Sequence, residues 1–192
     1  MRRIERSRAL AMVLVLALGA GVTGCGDDDS DDATVTTTTA ASEGGATDGE
    51  VFEVELVDFD FVGLPDRAKV GDRITITNSS AGELHEIVVM RLPDGEDRSI
   101  DELLALPDDE ADALFQGPPE MVLLAAPGGP QIDAVGDGTL TQAGRFVVIC
   151  AIPTGADPEE FLSAAEGSDG PPEVEGGPPH FVHGMVAELI VE

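Results

Sequence analysis

From residue 51 to the C-terminus the chain is a series of short apolar, β-branched runs, each cut off by glycine or proline. That punctuation rules out most folds and points to an all-β sandwich of seven or so strands. Phe52, Val54 and Leu56 alternate with Glu53 and Glu55, and then Val57, Phe59 and Phe61 alternate with Asp58 and Asp60. The phase flips between Leu56 and Val57, so one strand with a bulge there would keep both apolar sets inward. Leu64, Pro65 and Asp66 make a turn. Residues 68–78 read as a second strand, with Ile74 and Ile76 inward and Thr75 and Thr77 outward. A loop over 78–83 leads into a third strand at 84–92, with His85 near its start. Ser99 and Glu102 form a capping box before Leu103, and a second short helix is expected over 109–115. Strand-like runs return at 121–126, 132–135 and 138–142, followed by a full strand at 145–150 and a last one at 186–191. Between these two, residues 151–179 read as irregular, with one helical turn at 158–165 and little to bury. The expected architecture is a Greek-key β-sandwich with short helical insertions near 93–120 and 151–179.

The first 50 residues stand outside that fold. Arg2, Arg3, Arg6 and Arg8 precede an apolar stretch over 9–22, the layout of a secretory signal peptide. The stretch is shorter than the roughly 20 residues of a membrane-spanning helix. Val22, Thr23, Gly24 and Cys25 resemble a bacterial lipobox, so residues 1–24 are expected to be removed and Cys25 lipidated. Residues 25–50 then form a lipid-anchored tether. The run from Asp27 to Asp32, followed by Thr, Ala, Ser and Gly, cannot bury enough surface to fold and is expected to be disordered. The acidic run lacks the glycine turn and distal glutamate of a calcium loop. The expected location is a bacterial cell envelope, at the outer face of the membrane.

The chain has two cysteines. If Cys25 carries lipid, Cys150 has no disulfide partner, and an unpaired thiol in an oxidising compartment asks for a reason. Taken alone, Cys150 is better explained as a small buried hydrophobe. The residues near it change that balance. Residues 178–185 offer His180, His183 and Met185, and His85, the remaining histidine, opens another apolar run. Thiolate, imidazole and thioether together suit a soft metal ion, copper above all.

The formal charge is −28, and loss of residues 1–24, with four arginines and one glutamate, takes it to near −31. Nucleic acid and an anionic membrane surface both attract basic proteins, so neither is an expected partner. The charge serves solubility, or steering toward a basic partner; solubility carries more weight.

These residues resemble the cupredoxins, the blue-copper family that includes plastocyanin and azurin, over roughly 51–192. In that family a histidine follows an Asn-containing turn, as His85 follows Asn78, and a cysteine ends the penultimate strand, as Cys150 does. A second histidine lies five residues before a methionine, the spacing of His180 and Met185, before a final strand. The resemblance implies one type 1 copper held by His85, Cys150, His180 and a weak axial Met185. It places Asn78, Glu86 and His183 around those ligands. His183 could replace His180, but a strand carrying residues 183 and 185 would put both side chains on one face at short range, so His183 is assigned to the rim. Two departures stand out. Family members keep few residues between cysteine and second histidine, and here 29 intervene, far beyond an ordinary loop. If both ends are anchored, such an excursion leaves the site undisturbed, since closure cost grows slowly with length. Glu86 stands where the family often has asparagine, and an ionised carboxylate there would favour the cupric state.

The implied function is a one-electron carrier that meets a redox partner protein and works as a monomer. The alternatives are a copper-binding or copper-delivery protein, or a metal-free interaction module of the same fold. An enzyme is not expected: three histidines are too few for a trinuclear oxidase centre, and no Ser-His-acid motif stands out.

Overall fold

The computed structural model describes residues 49–115, 117–166 and 172–192. The expected signal peptide, Cys25 and all of the tether except Gly49 and Glu50 lie outside the described residues.

Among the described residues, nine strands form two sheets that share one core. The first sheet is three-stranded, in the order β2 (Asp60–Val62), β1 (Val51–Val57) and β4 (Arg73–Asn78), with β1 and β4 parallel. The second has six strands. Its order is β3 (Arg67–Ala68), β9 (Val186–Val191), β8 (Gly144–Ile149), β5 (His85–Arg91), β6 (Met121–Ala125) and β7 (Gln131–Val135). Strands β5, β6 and β7 meander antiparallel, and β8 returns to lie beside β5, which is a Greek key. The two-residue periodicity decides what is buried. Val54, Leu56, Ile74 and Ile76 of the first sheet meet Ile87, Val89, Leu123, Phe146, Val148 and Leu189 of the second. Each such side chain, fully buried, contributes about 1.5–3 kcal/mol of transfer free energy.

Four expectations change. The phase flip after Leu56 is a chain reversal and not a bulge: β1 and β2 form a hairpin in which Val57 pairs with Asp60 around Asp58 and Phe59. Residues 68–78 are not one strand, because the chain turns at Gly71 (φ 96°) between β3 and β4. Residues 138–142 do not form a strand. They touch the first sheet through one bridge between Arg73 and Thr139, and Gly138 runs so close that a Cβ there would sit 2.2 Å from the Ile74 carbonyl oxygen.

The fourth change concerns 151–179, which has much to bury. Ile152, Ala156 and Phe161 all join the main hydrophobic cluster. Phe161 belongs to a helix, Pro158–Ala165, whose first turn is capped by the Asp157 carboxylate accepting from Glu159 N and Glu160 N. The earlier excursion carries two short helices, α1 (Ile100–Leu104) and α2 (Asp108–Leu114). The predicted capping box starts α1: Ser99 Oγ accepts from Glu102 N, and the Glu102 carboxylate accepts from Ser99 N. This excursion packs Leu103 with Leu92 and Val147 in a separate small cluster.

Candidate metal centre

Both the strand ladder and the loops set the position of the site. His85 is the first residue of β5 and pairs with Ala125 on β6. Asn78, at the end of β4, holds the loop ahead of it. Its amide donates to the carbonyls of Glu83 (2.9 Å) and Ala125 (2.7 Å), and its oxygen accepts from Ser80 N (2.9 Å). Every polar atom of this buried amide is used, so the entry into β5 has one geometry. Cys150 follows β8 directly. Because β5 and β8 run antiparallel, His85 and Cys150 come to the same end of the sheet. The chain returns over that end as a 3-10 turn, His180–His183, followed by Met185 just before β9. Cys150 N donates to the Met185 carbonyl (3.1 Å) and Phe181 N to the Cys150 carbonyl (2.9 Å).

The long excursion between these ligand segments is closed at its neck. His180 N donates to Ile152 O (3.0 Å), Thr154 N to Pro178 O (3.1 Å) and Gly177 N to Thr154 O (2.8 Å). The two ends are therefore held together, and His180 is placed as if the intervening segment were short. Glycine is required at 176, where a Cβ would lie 2.4 Å from the Pro153 Cβ.

Three donor atoms converge. Cys150 Sγ lies 3.3 Å from His180 Nδ1 and 4.0 Å from His85 Nδ1, and the two Nδ1 atoms are 3.1 Å apart. All three residues are fully buried. No ordinary core needs two imidazoles and a thiol aimed at one point. A point equidistant from the three atoms lies about 2.0 Å from each, close to the metal–nitrogen distance and slightly short of the metal–sulfur distance seen at tetrahedral sites. Two nitrogens and one soft sulfur fit a single copper ion. Met185 is also fully buried and tied by its backbone to Cys150 and His180.

Burial disfavours the charged form of all three donors. Burial pushes the Cys150 thiol up to about 12, with the Glu86 charge adding to the effect. Burial, and then the neighbouring His180, lowers His85 to about 4 against the pull of Asp58. Burial lowers His180 as well, with Glu83 opposing. Neutral imidazole is the form that ligates a metal, and the thiol must lose its proton to do so.

The residues around the ligands differ from expectation in detail. Glu86 is buried, with its carboxylate accepting from Ala151 N (3.1 Å) and its own N–H donating to Cys150 Sγ (3.5 Å). Burial raises its pKa to about 7, so it is not a fixed negative charge beside the site. His183 is on the 3-10 turn and not on a strand. Its side chain is exposed, and the structure does not bring it into the donor cluster with His180.

Three neighbours were not singled out from the sequence. Both imidazoles turn Nδ1 inward, which leaves each Nε2 buried without a hydrogen bond. His85 Nε2 faces Asp58 Oδ1 at 3.8 Å, and His180 Nε2 faces Glu83 Oε2 at 3.4 Å. Glu83 is itself fixed by accepting from Gly155 N (3.0 Å) at the neck. Phe59 lies edge-on to His180, ring centroids 5.2 Å apart, and tilted against His183 at 5.0 Å. The missed signal was the phase flip beside Asp58 and Phe59, which marked a turn.

Fold and cluster together define an all-β sandwich with a buried His-Cys-His metal-ligand set. Among solved structures the chain is similar to reduced auracyanin from the photosynthetic bacterium Roseiflexus castenholzii. The identity is 16% over 74% of this chain and 96% of that one, with a TM-score of 0.40. Auracyanin A, a "blue" copper protein from the green thermophilic photosynthetic bacterium Chloroflexus aurantiacus, is 17% identical over 74% of this chain and 99% of that one (TM-score 0.37). Auracyanin B is 14% identical over 74% and 88% (TM-score 0.32). No protein-family model and no curated protein matches the sequence. The chemistry of the site rests on this chain's own donor atoms.

Proposed function

We propose that this protein is a copper-binding one-electron carrier of the bacterial cell envelope. The observation that carries the reading is the convergence of His85 Nδ1, Cys150 Sγ and His180 Nδ1, all buried, around one point. Met185, buried beside the cluster, would supply a weak thioether donor. Bound copper supplies a cupric–cuprous couple. The chain supplies a ligand set whose positions are fixed by a strand start, a strand end and a zipped neck, so little rearranges when one electron arrives. Burial of the donors favours electron transfer over metal hand-over, since a delivery site must let its ion out. The lipobox-like sequence at Cys25 supports anchoring by lipid at the outer face of the membrane, and the acidic charge suits a basic redox partner. Met185→Leu is expected to raise the potential, because losing a weak donor destabilises the cupric form more than the cuprous.

The test is a copper titration of the purified protein, followed by visible absorption and electron paramagnetic resonance. One equivalent should give an intense thiolate-to-copper band. Cys150→Ser should abolish the band and leave the circular dichroism of the sandwich unchanged. His183→Ala should keep it. A colourless protein that takes up no copper at one equivalent defeats this reading and favours a metal-free interaction module.

A further inference from the structure

Among the described residues, Phe59 is the one non-glycine residue with positive φ, at 66°. An aromatic side chain in that region is an outlier that the surroundings must hold in place, at a cost of order 1–3 kcal/mol. The backbone could avoid the cost with glycine or asparagine. It keeps phenylalanine in the β1–β2 turn, which meets the outer faces of the two imidazoles. From there the ring meets His180 edge-on and also touches His183. The preceding residue, Asp58, faces the outer edge of His85. A single two-residue turn therefore covers both imidazoles, and both have no exposed surface.

We propose that the Asp58–Phe59 turn is a fitted cap on the donor cluster, with the Phe59 ring closing the path of small molecules to His180 and Cys150. Electrons cross a ring in van der Waals contact, whereas water, anions and chelators do not. On the copper reading this makes the site selective for electron exchange and protects it from metal loss. The cap itself does not depend on that reading, because its contacts are made entirely by this chain's own side chains.

The experiment has two arms, each on the full chain. In the metal-free protein, alkylation by iodoacetamide is followed at Cys150 by peptide mass spectrometry, so that Cys25 does not enter the count. Phe59→Gly removes the ring and relieves the strained φ but gives up its part-buried packing on the main cluster, so the unfolding midpoint is measured beside the rate. Leu103→Ala, in the separate small cluster, loosens the fold elsewhere. If the turn is a cap, Phe59→Gly reacts at least about tenfold faster than wild type and Leu103→Ala does not, since only local opening exposes the thiol. Equal rates in wild type and Phe59→Gly overturn the proposal, and so does equal acceleration in both variants. The second arm loads zinc and measures its extraction by EDTA, which should also be faster in Phe59→Gly. If the wild type takes up neither zinc nor copper, the metal reading falls while the alkylation arm still decides the cap.

Discussion

The two long excursions from the sandwich look alike in sequence and differ in what they hold up. Both are rich in acid and proline, and each contains helical turns. The earlier one packs Leu103 against Leu92 and against Val147 of the second sheet and borders a partly open pocket of about 220 Å³ lined by Met90, Ile100, Leu103 and Phe115. Among the described residues, no donor of the site hydrogen-bonds to it. The later one is zipped at its neck by three backbone hydrogen bonds, sends Phe161 into the main cluster, and fixes both His180 and Glu83. The difference teaches that an insertion's effect depends on where its ends are tied and what it buries, and not on its length.

The largest expected effect follows from Phe161. Joining Gly155 directly to Gly176 removes Ala156 and Phe161 from the core and is expected to abolish cooperative unfolding. The milder Phe161→Ala should cost about 3–5 kcal/mol, and Leu103→Ala, which also adds to an existing pocket, about 2–3 kcal/mol. Chemical denaturation of the two variants checks the order. Equal losses would erase the distinction between the excursions.

Gly176→Ala sharpens the comparison at the neck. The added methyl would meet the Pro153 Cβ at 2.4 Å, and Pro153 is joined to Pro179, next to His180, by a bridge. A clash of this kind costs about 1–3 kcal/mol and is relieved by moving one side of the neck. The expected signature is weaker metal uptake and an altered thiolate band, together with an unfolding midpoint lowered in proportion to that cost. A normal band with a lowered midpoint would show that His180 is held by the 3-10 turn alone.

The donor set was legible in the sequence because its residue types are rare here: three histidines and one unassigned thiol leave few combinations. The strands were legible from their alternation. The Asp58–Phe59 hairpin was not, because a phase flip is equally produced by a bulge and by a reversal, and phenylalanine is not a turn residue. The burial of 151–179 was hidden for another reason. Ile152, Ala156 and Phe161 are spread through a polar segment, and no short-range period announces that they share one cluster. Glu83 and Asp58 were missed because what matters about them is the imidazole edge each one faces, a tertiary fact.

The smallest effect belongs to the start of α1, in the excursion that leaves the site alone. Ser99→Ala removes the hydroxyl that accepts from Glu102 N and should cost about 1 kcal/mol. The other half of the box is charged. Hydrogen bonds from Ser99 N and Oγ hold the Glu102 carboxyl below the usual carboxylate range. A depressed carboxylate stabilises the fold above its ordinary pKa, and that contribution is lost as pH falls through the lowered folded value. The penalty of Ser99→Ala should therefore be full at neutral pH and shrink in acid, where the wild type has lost part of the box as well. Denaturation midpoints of the pair at pH 7 and in acid measure this. The thiolate band at pH 7 should be identical in the two proteins, since no hydrogen bond of α1 reaches His85, Cys150 or His180. A shifted band in Ser99→Ala would mean that the first excursion is coupled to the site after all, through the Phe181 ring at the margin of its pocket.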